Sequence, residues 1–219
     1  MSKTNRLWEI DLTRGLAILG MVLYHFNFDL GTITPPLSFL AKITAITFLF
    51  LVGFSFSLTM TKFPNKPLLL YKNVLIRATQ IFLAASLITF STFLVSPVFT
   101  VRFGILHLIA FSLILLLPLS LLKNRLLLLP LSVILVSTVF VVNPNPKYST
   151  FDYYPVIPWF GVILFGYIVA SKYLDYRPSL FLKTPSKVFQ PLITLGQNSL
   201  LIYLIHQPII LGFLYLFKI

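Results

Sequence analysis

Hydrophobic runs separated by short polar breaks organise this chain. Seven segments are long and apolar enough for transmembrane helices, each of which needs about 17 to 25 residues. They cover residues 10–30, 37–60, 73–96, 103–122, 126–142, 156–173 and 192–217. Pro35 with Pro36, Pro64 with Pro67, the run Asn143-Pro144-Asn145-Pro146, and Pro178 with Pro185 fall where turns are needed. Proline removes a backbone donor and disfavours helix in the residue before it. The pattern predicts an all-α, multi-pass helix bundle of about seven spans, one domain over residues 1–219, with no internal repeat. The last segment has 26 residues and contains Gly196 and Pro208. It is either one long span or a shorter helix preceded by an interfacial turn.

The first segment departs from the apolar pattern on one side only. At about 100° per residue, taking Asp11 as zero, Arg14 points to roughly 300°, His25 to roughly 320° and Asp29 back to roughly 0°. The four share a narrow face. An ionisable side chain at mid-bilayer costs about 2.5 kcal/mol or more, so such residues turn toward protein or a wet cavity and are often functional. The stripe is therefore expected to point inward.

Composition agrees with the pattern. The 219 residues are 58% hydrophobic and 10% charged, with a mean hydropathy of +0.94, which leaves too little polar surface for a dispersed soluble domain. The first segment exceeds an ordinary signal-peptide core and no small-residue cleavage site follows it, so it is expected to remain in the mature protein. There is no cysteine, which removes disulfides, thiolate nucleophiles and cysteine metal sites. Gly-rich phosphate loops and Gly-x-Ser-x-Gly are absent as well.

The net charge of +12 does not point to nucleic acid, because the charges mark the edges of spans. Thirteen of the 17 Lys and Arg residues fall on one side: Lys3, Arg6, Arg14, Lys62, Lys66, Lys72, Arg77, Lys123, Arg125, Lys172, Arg177, Lys183 and Lys187. The other four are Lys42, Arg102, Lys147 and Lys218. The positive-inside bias then places the N-terminus in the cytoplasm, Asp11 and Arg14 near the inner face, and His25, Asp29, Arg102, His107 and Asp152 near the outer one. The expected location is a prokaryotic plasma membrane.

Several side chains can carry chemistry. Asp11 and Arg14, spaced i, i+3, can form an intrahelical ion pair. A neutral His25 can accept a proton from an amine or hydroxyl as it attacks a carbonyl, with Asp29, four residues on, orienting the ring. Asp29 can instead cap the helix exit near Gly31. Arg102 and His107 open the fourth span, and both can serve one cavity only if Arg102 lies on the turn before the helix. The plainer alternative is a snorkelling arginine and a histidine bonded to backbone. Asp152 sits in an aromatic loop just before Trp159, where rings either anchor the interface or stack on sugars. Ser199, Tyr203 and His206 form a second polar face, extended by Gln197 and Asn198 and followed by Gln207. Such residues often simply bond helix to helix. The three histidines have no i, i+4 pair and no HExxH pattern, so no metal is expected.

Four blocks resemble one family. They are the run from Arg6 to His25, Arg102-Phe-Gly-Ile-Leu-His107, Asp152-Tyr-Tyr-Pro-Val-Ile-Pro158-Trp159-Phe-Gly161, and Leu195-Gly196-Gln-Asn198-Ser199-Leu-Leu-Ile-Tyr203-Leu-Ile-His206-Gln-Pro208. In order and spacing they are similar to the heparan-alpha-glucosaminide N-acetyltransferase catalytic domain family. The resemblance implies a transmembrane acyltransferase that moves an acetyl group from cytosolic acetyl-CoA to an acceptor on the far side of the membrane. It implies that Asp11 and Arg14 help form the CoA end of the path and that His25, near the outer end, serves the transfer. The animal members are longer, have a luminal domain and carry asparagine opposite His25, so glycosaminoglycan specificity does not follow.

The expected activity is transfer from acetyl-CoA to an amino sugar or sugar hydroxyl. His25 with Asp29 is catalytic, as general base or transient acyl acceptor. Arg102, His107, Asp152, Trp159, Asn198, Tyr203 and His206 contact the acceptor, and a second copy of the chain is a candidate partner. The rivals are a proton-coupled transporter, which a buried Asp-Arg-His-Asp line also suits, and a noncatalytic membrane protein.

Overall fold

The computed structural model describes residues 7–63, 66–141, 152–176 and 185–218. Eight α-helices form among them: α1 (Trp8–Asp29), α2 (Pro35–Met60), α3 (Pro67–Val95), α4 (Ile105–Leu119), α5 (Leu129–Val141), α6 (Val156–Tyr176), α7 (Gln190–Gln197) and α8 (Ser199–Phe217). The described residues form no strand beyond one isolated bridge between Phe103 and Tyr153. The prolines expected to mark turns also open helices. Pro35 and Pro36 begin α2 and Pro67 begins α3, positions where a missing N–H has no intrahelical partner to lose. Pro64, residues 143–146 and Pro178 lie outside the described residues, as do Lys3, Arg6, Lys147, Arg177 and Lys183 of the charge count.

Boundaries shift where polarity and helicity differ. Helix α3 begins six residues before the expected 73, because Lys72 interrupts an apolar run without interrupting the helix. Helix α4 begins at Ile105, since Gly104 is extended (φ −85°, ψ −177°), and it is only 15 residues long. The fifth segment opens as a 3₁₀ turn, Arg125–Leu128, before α5. The last segment is two helices. Asn198 (φ −103°, ψ 20°) separates α7 from α8, and its side chain donates to the Thr194 carbonyl at 2.9 Å, the local competition that makes asparagine a weak helix former. Pro208 stays inside α8.

Among the described residues, four helices are long and apolar enough to cross a membrane: Pro35–Met60, Pro67–Val95, Val156–Tyr173 within α6, and Ser199–Phe217. Helices over Ile105–Leu119 and Arg125–Val141 are apolar but shorter. Large apolar side chains stand exposed along α3, among them Leu68, Phe82, Leu83, Phe90 and Leu94, and along α8, including Ile209, Tyr215 and Leu216. A soluble protein rarely exposes such continuous apolar surface, and the bilayer is the solvent that accepts it. The chain is an all-helical integral membrane protein.

The sequence reads as one domain; contacts within the fold group it into two units, Met1–Phe48 with Pro178–Ile219, and Leu49–Arg177. In the first, α1 runs parallel to α7 and α8. Trp8 stacks on Phe189, with ring centroids 6.3 Å apart. One turn on, a Cβ on Gly196 would strike the Asp11 carbonyl oxygen, and one on Gly15 would strike that of Leu192. The α1–α7 crossing is thus backbone against backbone, an approach that small residues permit in membrane helices. In the second unit the α2–α6 crossing is built the same way, with Gly53 on the Ile163 carbonyl and Gly166 on that of Phe50. Its core includes Leu49, Leu108, Leu116, Ile163, Leu164 and Ile168.

Gly196→Val should destabilise the detergent-solubilised protein by about 1 to 3 kcal/mol, the usual cost of overpacking. A Cβ on Gly212 of α8 meets nothing within 4 Å, so Gly212→Ala should stabilise by about 0.5 to 1 kcal/mol through helix propensity. Thermal unfolding of both variants checks the pair.

Candidate active site

The α1 stripe faces α7 and α8. Near its N-terminal end Asp11 is 2% exposed. Arg14 donates from Nη1 to Asp11 Oδ1 at 3.0 Å, the ion pair that i, i+3 spacing allows. Gln197 Nε2, at the end of α7, donates to Asp11 Oδ2 at 3.3 Å. The close Gly15–Gly196 approach makes this bond reachable, because Asp11 and Gln197 sit beside the two backbones that touch. Arg14 has 18% of its side chain accessible.

His25 lies 14 residues further along α1, about 21 Å at 1.5 Å per residue. Its half-buried ring meets the ring of His206 on α8 edge-on, with centroids 4.9 Å apart, and Tyr24 lies against its other side at 5.6 Å. His206 is 8% exposed. Its Nδ1 is 2.7 Å from the Tyr203 carbonyl. A carbonyl only accepts, so Nδ1 carries the proton, and in the neutral ring Nε2 holds the lone pair. That Nε2 is buried and has no partner.

Asp29 is not bonded to His25. Its Oδ2 accepts from Gln207 Nε2 at 2.8 Å, so the carboxylate is held across the helix pair by a residue of α8. The sequence placed Asp29 within reach of His25 because the two are one turn apart, but α8 supplies a stronger donor. Gln207 Oε1 is also buried without a partner. The C-terminal end of α1 therefore lies against two buried acceptor atoms with nothing to accept from, His206 Nε2 and Gln207 Oε1, beside the Asp29 carboxylate and the His25 ring. An unsatisfied buried polar atom costs about 1 to 3 kcal/mol, and such costs concentrate where ligands bind.

Of the other residues proposed to touch the acceptor, Tyr203 belongs to this cluster. Its carbonyl orients His206 and its ring lies 5.5 Å from the imidazole. Asn198 does not; it is exposed at the α7–α8 break and bonded to Thr194. Arg102, His107, Asp152 and Trp159 lie in the second unit. Arg102 is exposed on the turn before α4, as joint use with His107 requires. His107 and Asp152 both bond the backbone at the start of α4, and Trp159 is buried edge-on to Tyr154 at 4.8 Å.

Gln197 and Gln207, which the sequence places on a polar face of the kind that bonds helix to helix, do so here, and what the sequence did not supply was their partners, Asp11 and Asp29.

The candidate site of this all-helical membrane protein thus pairs a half-buried imidazole with a buried one beside unsatisfied acceptors. Residues 6–208 match the family described as heparan-alpha-glucosaminide N-acetyltransferase, catalytic, and the chain belongs to that family. That name describes transfer of an acetyl group to an amino sugar. No curated protein and no solved structure matches the chain.

Gln197→Ala removes the α7 donor to Asp11 and should cost about 0.6 to 2 kcal/mol, the range for polar links between membrane helices. Asp11→Ala leaves Arg14 without its acceptor as well and should cost more. Chemical unfolding in detergent measures the difference, which vanishes if Gln197 is the whole of the Asp11 contribution.

Proposed function

We propose that the protein transfers an acetyl group from acetyl-CoA to a primary amine, with an amino sugar as the leading acceptor, and that His25 and His206 carry the proton movements. The observation that carries this reading is the pair of buried acceptors, His206 Nε2 and Gln207 Oε1, next to Asp29. All three groups call for a hydrogen-bond donor, and an amine or its ammonium form supplies several. A hydroxyl supplies one. The family name supports the reaction class.

In the transfer, the amine nitrogen attacks the thioester carbonyl. A C–N bond forms and the C–S bond breaks. The amine proton passes to His25 and from there to the departing CoA thiolate, giving amide and free thiol. His25 is the base because its ring lies beside His206 and within the acceptor cluster. Asp29 anchors the cationic form of the acceptor before it is deprotonated. At the other end of α1, Arg14, held in place by its ion pair with Asp11, supplies positive charge for a CoA phosphate or the pantetheine arm. A thin donor laid along α1 covers the distance between the two ends.

On topology, we infer that α1, α4 and α5 cross the membrane together with the four longer helices, with the N-terminus in the cytoplasm. The parallel run of α1 with α7 and α8 supports an odd number of spans, and the Lys and Arg distribution supports the orientation. Donor on the inner side and acceptor on the outer follow from that orientation, as does a plasma membrane location.

Purified protein in detergent, given radiolabelled acetyl-CoA and glucosamine, should form N-acetylglucosamine. His25→Ala should reduce turnover by at least about 100-fold, the scale of general base catalysis, while CoA still raises the melting temperature as in the parent protein. Unchanged turnover in that variant would remove His25 from the mechanism. A burst of free CoA equal to the enzyme concentration before any acceptor is added would assign the imidazole as a transient acyl carrier, and its absence would assign direct transfer.

A further inference from the structure

Helix α4 starts without a capping side chain at its N-cap. That position is Gly104, whereas helix starts normally place Ser, Thr, Asp or Asn there to accept from the first free backbone amides. One side chain from within the helix and one from far along the chain do this work. His107, three residues into the helix, accepts from the Gly104 N–H through Nδ1 at 3.3 Å, in the position that glutamate or glutamine fills in a capping box. An accepting Nδ1 carries no proton, so the neutral ring holds its hydrogen on Nε2. Asp152, 47 residues along the chain, accepts from the Ile105 N–H through Oδ2 at 3.1 Å, where the positive end of the helix favours a carboxylate.

The cap also fastens a second stretch of chain. Phe103 bridges to Tyr153, and the Tyr154 N–H donates to the Phe103 carbonyl at 3.0 Å. A Cβ at 104 would crowd the Asp152 carboxylate, so glycine there leaves room for the bond that Asp152 makes. The His107 ring is held between Phe103, stacked at 5.7 Å, and Phe82 of α3, edge-on at 5.9 Å. Tyr154 in turn abuts buried Trp159. Arg102 is left exposed on the turn that these bonds define.

We propose that His107 and Asp152 are positioning residues: together they form the divided cap of α4, fixing the turn that carries Arg102 and fastening residues 152–154 beside it. Neither side chain is then an acceptor-binding group. The functional part, an effect of the cap on transfer, rests on the acyltransferase reading; the cap itself does not.

Two measurements on the full-length purified protein separate these layers: backbone hydrogen exchange over residues 103–108 and 152–156, and acetyl transfer to glucosamine. His107→Gln keeps an acceptor at the capping-box position and Asp152→Asn keeps one at the helix start, so both should retain parent-like exchange. His107→Gln should also rescue transfer relative to His107→Leu, with the pH profile of kcat unchanged. His107→Leu and Asp152→Ala should accelerate exchange in both segments by about 2-fold to 30-fold, the factor that loss of an N-cap represents, and raise KM with kcat little altered. If His107→Gln exchanges like the parent yet loses transfer as completely as His107→Leu, His107 touches the substrate and the proposal fails. It fails equally if His107→Leu and Asp152→Ala leave exchange unchanged. Absence of transfer in the parent protein would overturn the acyltransferase reading alone, and exchange would still decide the cap.

Discussion

The contact between the backbones of α1 and α7 at Gly15 and Gly196 governs the candidate site. Each glycine lies where a Cβ would enter the other helix's carbonyl oxygen, so the two helices meet closely near one end. Everything above follows from that approach. Asp11 reaches Gln197, the chain turns at Asn198, and α8 continues alongside α1 so that His206 meets His25 and Gln207 meets Asp29. In a bilayer, apolar side chains gain little by choosing protein over lipid. Close backbone packing and polar links therefore do the aligning that a hydrophobic core does in water.

The polar links are unequal in what they imply. At the N-terminal end of α1 both Asp11 oxygens have donors. At its C-terminal end the count does not close. Asp29 has Gln207, but His206 Nε2 and the second polar atom of Gln207 have nothing. A fold whose only need were to join α1 to α8 would use a leucine in place of His206 at lower cost. This excess of acceptors over donors is what supports the proposed amine acceptor and the proposed role of His25.

Much of this was legible in the chain. Each apolar run contains helix, because length and hydropathy are properties of contiguous residues, but the last run covers two helices, α7 and α8. The stripe on α1 was legible because helical periodicity converts spacing into direction, and an ion pair between Asp11 and Arg14 followed from the same geometry. What sequence could not supply was the partner on another helix. Spacing made Asp29 a neighbour of His25, whereas the fold gives it to Gln207. His107 and Asp152 looked like acceptor contacts because both are polar and near one end of the bundle. The His107 bond to Gly104 is a local capping-box contact, but the Asp152 bond to Ile105 goes with a bridge between residues some 50 positions apart, beyond the reach of any local pattern. The break at Asn198 hinges on whether one side chain competes for the Thr194 carbonyl, a choice between near-equal alternatives.

The central claim is that His206, with its proton on Nδ1, offers a buried basic nitrogen to an amine beside His25. Nitrogen-15 NMR of histidine-labelled protein in detergent micelles reads both parts at once. The predicted result is a His206 signal of the Nδ1–H tautomer that shifts on addition of glucosamine and not on addition of glucose. A signal of the Nε2–H tautomer, or an equal response to the two sugars, would contradict it.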